Sequence, residues 1–179
     1  MLRFSLSMIL LIALASPIMA EEPTACSLLT SGDIEAVTGG TVSATEPMKL
    51  DDIPSDHNRT VTVVGCLWGL AHQTGQLSLT WFRGPLTDEE IGQLLTVSRN
   101  SMGIDNMKSA NYREISKEFP NAWCSTFSPP ASDKLGQLLS ACTGVVKRHG
   151  LSIAFGSPSK LLTVDQAKIL LDKAGERAR

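Results

Sequence analysis

Positive charge is not in excess in this chain. Its 179 residues include 16 lysines and arginines against 18 aspartates and glutamates, a formal net charge of −2. Removal of the first 20 residues takes away Arg3 and changes the net charge to −3. Domains that bind nucleic acids present a basic patch, so the composition argues against a nucleic-acid partner.

The sequence also lacks the local motifs of common enzyme classes. It has no G-x-S-x-G, no H-E-x-x-H, no phosphate-binding loop and no dinucleotide-binding glycine set. No two cysteines have C-x-x-C spacing, and the histidines (His57, His72 and His149) lie far apart in sequence. This spacing argues against a zinc site or thiol redox chemistry, so we expect no metal and no cofactor.

The N-terminal apolar run is too short to span a membrane. Arg3 precedes the apolar residues 6–15, and residues 16–20 end at the small residue Ala20. This order is typical of a secretory signal peptide, and the run is about half of the roughly 20 residues that a membrane span needs. We expect cleavage after Ala20, one domain over residues 21–179, a periplasmic or secreted location, and no stable membrane insertion.

Four cysteines follow the predicted cleavage site: Cys26, Cys66, Cys124 and Cys142. Disulfides persist in exported proteins, so an even number of cysteines predicts two disulfides. Four cysteines allow three connectivities.

Three segments carry a capping box, in which a threonine side chain and a polar side chain three residues later satisfy backbone N–H groups. They are Thr30 with Asp33, Thr87 with Glu90, and Thr163 with Gln166. Helical spacing predicts that the second helix buries Ile91, Leu94, Leu95 and Met102, and that the third buries Ala167, Leu170, Leu171 and Ala174. Gly39 and Gly40 predict an early end to the first helix.

The acidic residues Asp88, Glu89 and Glu90 allow two interpretations. Paired carboxylates can perform acid–base catalysis. Acidic residues in a first helical turn also favour the helix dipole, and we prefer this interpretation.

Alternation with a period of two predicts strands between the helices. The predicted strands are residues 61–71, 77–82, 112–119, 122–128, 138–147 and 151–155. We expect turns near residues 72–75, at residues 120–121, and at His149 with Gly150. The basic cluster Lys147, Arg148 and His149 is interpreted as part of an exposed hairpin turn.

The second half of the chain repeats an order found in the first. Residues 77–82, Gly84-Pro85 and a capped helix resemble residues 151–155, Ser157-Pro158 and a capped helix. Cys66 and Cys142 precede the two strands by 11 and 9 residues. We therefore expect pseudo-repeat halves at about 26–103 and 111–179. The fold class is α+β, with one or two antiparallel sheets and about three helices packed on one side.

Repeat symmetry favours disulfides within each half, which pairs Cys26 with Cys66 and Cys124 with Cys142. Trp68 and Trp123 lie close to these cysteines in sequence. We expect both to pack against the disulfides, with ligand stacking as the alternative.

The segment of residues 47–57 contains Asp51, Asp52, Asp56 and His57, which are possible cation ligands. Its proline and polar residues favour a flexible surface loop. Acid–base groups from this segment, Asp51, Asp56 and His57, would support a small secreted hydrolase.

The motif Cys26-Ser27-Leu28-Leu29-Thr30, followed some forty residues later by Cys66-Leu67-Trp68, resembles the C-x-L-L-T and C-x-W signature of a bacterial family of secreted and lipid-anchored proteins of unknown function. The resemblance covers mainly the first fifty mature residues. It implies helices packed on an antiparallel sheet, as in extracellular sensor-type domains, and no catalytic residues. The lipid-anchor cysteine is missing, so the resemblance does not imply membrane attachment.

These patterns favour an exported, noncatalytic binding or structural module over the hydrolase, because no spacing brings ionisable groups together. Its partner would be a protein or a small-molecule ligand, bound between the halves, by residues 47–60, or by the turns near His72 and His149.

Overall fold

The computed structural model describes residues 24–54, 60–71, 75–101 and 111–179. These ranges hold three α-helices and an eight-stranded antiparallel sheet, so the fold class is α+β as predicted. The helices are α1 (Ser31–Thr38), α2 (Asp88–Ser101) and α3 (Val164–Arg177), and a 3₁₀ turn covers Ala25–Ser27. The strands are β1 (Thr41–Lys49), β2 (Ile53–Pro54), β3 (Thr60–Ala71), β4 (Gly75–Arg83), β5 (Arg113–Phe119), β6 (Ala122–Ser128), β7 (Leu138–Val146) and β8 (His149–Ser157). The predicted signal peptide lies outside the described residues.

Each described helix begins at a predicted capping box. The Asp33 N–H donates to Thr30 Oγ1 over 3.2 Å, and the Thr30 N–H donates to the Asp33 carboxylate over 3.0 Å. The same reciprocal bonds join Thr87 with Glu90 and Thr163 with Gln166. α1 ends at Gly39, whose φ of 67° lies in the left-handed region. No helix in the described part of the chain is long and apolar enough to cross a membrane.

The strands form one sheet in the order β1-β3-β4-β8-β7-β6-β5, with β2 paired to β3 beside this path. One row of opposed residues crosses the centre: Cys66 faces Leu79, which faces Ile153, which faces Cys142. Directly opposed residues of antiparallel strands project from the same face. We call the face that carries this row the inner face, and the opposite one the outer face.

The central register is symmetric about the pair Leu79 and Ile153. Leu77 lies opposite Phe155, and Trp81 lies opposite Leu151. This is the pairing expected when residues 77–82 and 151–155 are equivalent segments related by a local twofold axis. Cys66 and Cys142 then hold equivalent positions, each opposite one member of the central pair.

The main core lies between the inner face and the helices α1 and α3. The sheet contributes Trp68, Trp81 and Phe155, all fully buried. α3 contributes the residues that the helical spacing predicts, Ala167, Leu170, Leu171 and Ala174. Burial of this apolar stripe, more than helix propensity, stabilises α3.

Both disulfides join the predicted partners. Cys26–Cys66 links the 3₁₀ turn to β3, with the Cα atoms 5.0 Å apart. Cys124–Cys142 joins directly opposed residues of β6 and β7, with the Cα atoms 4.0 Å apart. All four thiols of the chain are thus used in disulfides.

The helices are predicted to pack on one side of the sheet, and the structure refines this prediction. α1 and α3 pack on the inner face, whereas α2 contacts the outer face. Phe82 and Gly150 are opposed on β4 and β8, next to the inner-face pair Trp81 and Leu151. A Cβ atom on Gly150 would lie 2.6 Å from Leu94 Cδ2. α2 therefore covers this end of the outer face.

α2 buries Ile91, Leu94 and Leu95 less than predicted, because all three side chains are only half-buried. Val97, on the same helix, is 56% exposed. α2 lies over one end of the sheet, so its apolar residues contact fewer neighbours than those of α3. Met102 lies outside the described residues.

The turn between β7 and β8 lies two residues earlier than predicted. Lys147 and Arg148 form it, with φ values of 50° and 65°, as a two-residue hairpin loop with positive φ requires. His149 and Gly150 instead begin β8 and are buried. Gly150 is needed for the close approach of Leu94, a use of glycine that the sequence does not distinguish from a turn.

The predicted loop at residues 47–57 is partly wrong. Pro47 belongs to β1, and Ile53–Pro54 form β2. Both strands pair with β3 at the edge of the sheet, where proline is tolerated. β1 has no clear alternation because most of its side chains are exposed, so periodicity does not predict it.

Candidate functional site

A groove of about 590 Å³ lies on the outer face, at the end of the sheet away from Gly150. Its floor includes Ser78, Ala154 and Ala141, which are opposed in one row across β4, β8 and β7. Gly156 extends the floor along β8. Serine and alanine have small side chains and glycine has none, so the surface here is depressed relative to the neighbouring residues. We call this site the outer groove.

Larger apolar side chains stand on both sides of the floor. Leu67 lies on the β3 side, and Leu139 and Phe127 lie on the side of β7 and β6. Phe127 is only 2% exposed and clusters with Trp123. One wall of the outer groove is therefore anchored in a second, smaller core on the outer face.

Amide side chains complete the lining at Gln76 on β4 and Gln137 in the loop before β7. The loop is ordered by Asp133, whose carboxylate accepts from the Leu135 N–H over 3.1 Å. Gly136 packs closely against Tyr112, the residue before β5, since a Cβ atom on Gly136 would lie 2.9 Å from the phenol oxygen of Tyr112. These contacts fix the chain directly before Gln137.

None of the described residues that line the outer groove is ionisable. Acidic residues occupy the next strand on each side: Glu46 of β1 lies opposite Leu67, and Glu114 of β5 lies opposite Phe127. Ser125 Oγ donates to Glu114 Oε1 over 3.1 Å. The described lining of the outer groove is thus uncharged, and the carboxylates of Glu46 and Glu114 lie on the strands to either side of it.

A second cavity of about 340 Å³ lies between α2 and the strands β2, β3 and β4. Apolar side chains form most of its lining, among them Ile53, Val61, Phe82 and Leu94. We call it the helix cleft. Its lining includes Pro54, the last described residue before the gap at residues 55–59.

The candidate acid–base residues of the predicted loop are not brought into a site by the described structure. Asp51 is exposed, and the neighbouring Asp52 carboxylate accepts from the Val63 N–H over 3.4 Å. Asp56 and His57 lie outside the described residues. The described part of the chain contains no group of three or more potential metal ligands among His, Cys, Asp and Glu. The hydrolase stays a prediction.

The acidic first turn of α2 has the contacts of a helix N-terminus. Glu90 belongs to the capping box, Glu89 is exposed, and Asp88 forms a 3.2 Å ion pair with Arg148. These contacts agree with the helix-dipole interpretation.

His149 is buried at the start of β8, and its position was predicted as an exposed turn. Its Nδ1 accepts from the Gly84 N–H over 3.0 Å, and its ring lies 5.8 Å from that of Trp81. Burial lowers the pKa of His149 from its ordinary value, and the charges of Arg83 and Lys147 act in the same direction. His149 therefore links the start of β8 to the segment before α2, and among the described residues no carboxylate or hydroxyl bonds to its ring to orient it for catalysis.

The two tryptophans near the cysteines lie on different faces. Trp68 lies two residues after Cys66 on β3, so both side chains project from the inner face, and Trp68 belongs to the main core. Trp123 directly precedes Cys124 on β6, so the two project to opposite faces, and Trp123 packs with Phe127. The expectation that Trp123 packs against a disulfide is wrong because of this alternation.

The outer groove was not predicted from the sequence. The available signal is the set of small residues at outer-face positions of β4, β7 and β8, but that signal requires knowledge of which strands are neighbours. Comparisons with protein-family models, with curated proteins and with solved structures found no match to this chain. The resemblance to a bacterial secreted family therefore stays a prediction.

Proposed function

We propose that the protein is an exported, noncatalytic module that binds a small molecule in the outer groove. The observation that carries this proposal is a groove of about 590 Å³ with a low floor and apolar walls. Small-molecule sites typically measure about 300–1,000 Å³ and combine an apolar lining with a few polar groups. Gln76, Ser78 and Gln137 are such polar groups.

Export is supported by the signal-peptide pattern of residues 1–20 and by two disulfides. Disulfides form and persist in oxidising compartments such as the periplasm and the extracellular space.

A noncatalytic role is supported by the chemistry of the lining. Acid–base catalysis requires a titratable side chain within hydrogen-bond reach of the substrate. The described lining of the outer groove offers amides, hydroxyls and apolar groups. These groups orient and hold a ligand without transferring its protons.

Filling the groove tests the proposal. Ala154 is exposed on the floor, so Ala154→Trp places an indole in the groove without entering the inner core. The probe is N-phenyl-naphthylamine, whose fluorescence rises in apolar sites. We expect saturable binding to the wild type and an affinity at least about tenfold weaker in Ala154→Trp, or about 1.4 kcal/mol.

Ala36→Trp is the matched control, since Ala36 is exposed on α1, remote from the outer face. It should bind the probe like the wild type. Equal affinities of wild type and Ala154→Trp, with both proteins folded by circular dichroism, would contradict the proposal.

A further inference from the structure

The described lining of the outer groove contains no charged side chain that could pair with a charged ligand. The polar side chains of the described lining are those of Gln76, Ser78, Gln137 and Ser140, and the Ser140 hydroxyl already bonds to the backbone of Leu162. Removing a charge from water without a compensating charge is strongly unfavourable, whereas a neutral polar group needs only a hydrogen bond. The lining therefore favours a ligand without ionised groups.

The strands next to the groove add a bias against anions. Glu46 lies opposite Leu67, and Glu114 lies opposite Phe127, so a carboxylate borders each wall. Neither wall contributes lysine or arginine to the described lining. An anionic ligand would meet repulsion from both sides.

We propose that the ligand of the outer groove is an uncharged molecule with an apolar body and hydrogen-bonding groups. This inference rests on the proposed binding function. Leu67, Leu139 and Phe127 contact the apolar body. Gln76 and Gln137 offer both donors and acceptors to its polar groups.

Two probes with one aromatic body test the charge preference. N-phenyl-naphthylamine is neutral, and anilinonaphthalene sulfonate is the same body with a sulfonate. We expect the neutral probe to bind the wild type at least about tenfold more tightly than the sulfonate, because the described lining residues include no lysine or arginine. Ala154→Trp should weaken the binding of the neutral probe.

A lysine in the lining should reduce this preference for the neutral probe. Gln76 is exposed at the rim, so Gln76→Lys can place an ammonium in the groove while keeping its aliphatic stem in contact with the wall. We expect this variant to bind the sulfonate at least about fivefold more tightly than the wild type does. Ala36→Lys is the control for added net charge and should leave both affinities unchanged.

The outcomes separate this inference from the proposed function. If both probes bind equally well and Ala154→Trp weakens both, the groove is a binding site and the preference for uncharged ligands is overturned. If the neutral probe keeps its affinity in Ala154→Trp, it binds elsewhere, for example in the helix cleft, and both proposals are overturned.

Discussion

At the scale of single residues, Asp33 joins the start of α1 to the end of α3. Its side chain, 10% exposed, forms ion pairs with Arg177 at 2.7 Å and Lys173 at 3.1 Å. The hydrogen bond from Arg177 holds the pKa of Asp33 well below its usual range; burial opposes this effect, and bonds from Thr30 and Lys173 reinforce it. The carboxylate thus stabilises the fold only while it is ionised.

Asp33→Asn should lower the free energy of unfolding by about 2 kcal/mol at pH 7, because it removes a charge that two cations share. The folded pKa is lowered, so the stabilisation is fully present above the unfolded pKa of about 4 and is lost progressively as the pH falls from there through the folded pKa. Urea unfolding at pH 7 and at about pH 3 should show a smaller difference between wild type and variant at pH 3 than at pH 7.

Asp172→Asn is the control for this prediction. Asp172 is 52% exposed and pairs with Lys168 along α3, so its removal should change the free energy of unfolding by less than about 1 kcal/mol. Equal losses in the two variants would show that the position of Asp33 between the helices contributes nothing.

His149 should make the protein acid-sensitive. Its neutral Nδ1 accepts from the Gly84 N–H, and protonation would place a second N–H against that donor. Since the folded pKa is lowered, stability is complete above the unfolded pKa of about 6.5 and decreases as the pH falls below it. We expect the melting temperature to fall further between pH 7.5 and pH 5 in the wild type than in His149→Asn. Asparagine keeps a hydrogen-bond acceptor but has no titrating ring. Identical pH profiles would refute this role.

At the scale of the elements, capping boxes and apolar periodicity predict the three helices, whereas β1 and the position of α2 were not predicted. A capping box acts over three residues, so its signal is contained in the local sequence. β1 pairs with β3 across 15 to 30 residues of chain and exposes most of its side chains, so neither periodicity nor local bonding reveals it.

Packing of α2 on the outer face predicts a coupling between Gly150 and Leu94. Gly150→Ala would place a Cβ 2.6 Å from Leu94 Cδ2, which forces a displacement, and should lower the free energy of unfolding by about 1–3 kcal/mol. In a Leu94→Ala background the same change should be milder by at least about 0.5 kcal/mol. Additive losses in a double-mutant cycle, followed by urea unfolding, would contradict this packing.

At the scale of the whole molecule, the two disulfides connect segments separated by 40 and 18 residues. On the chain-entropy model, loops of these lengths stabilise a protein by about 4 and 3 kcal/mol. Typical domains have a total stability of about 5–15 kcal/mol, so each disulfide contributes a large share.

Replacing either cysteine pair by alanines should therefore lower the free energy of unfolding by about 3–4 kcal/mol. Urea unfolding of Cys26→Ala/Cys66→Ala and of Cys124→Ala/Cys142→Ala checks this value. The fully reduced wild type should be less stable than either double variant. A double variant as stable as the oxidised wild type would contradict the contribution of its disulfide.

The outer groove belongs to this largest scale. Ala141 and Ala154 come from the consecutive strands β7 and β8, but Ser78 lies far away in sequence on β4, and only the pairing of β4 with β8 makes the three residues neighbours. A sequence pattern can assign each of them to an exposed face, but it cannot give the strand order. For this reason the cysteine pairing and most strands were predictable, and the candidate site was not.

The sequence by itself determined the features that depend on local bonding or on composition. These are the capped helices, the alternating strands, the apolar stripe of α3 and, through the repeated order of elements, the pairing of the cysteines. Tertiary structure alone decided that α2 packs on the outer face, that Gly150 serves close packing, and that a groove whose described lining residues are not ionisable forms at the other end of that face. These features depend on contacts between distant segments, whose free energy is set by the strand order and is not present in any local pattern.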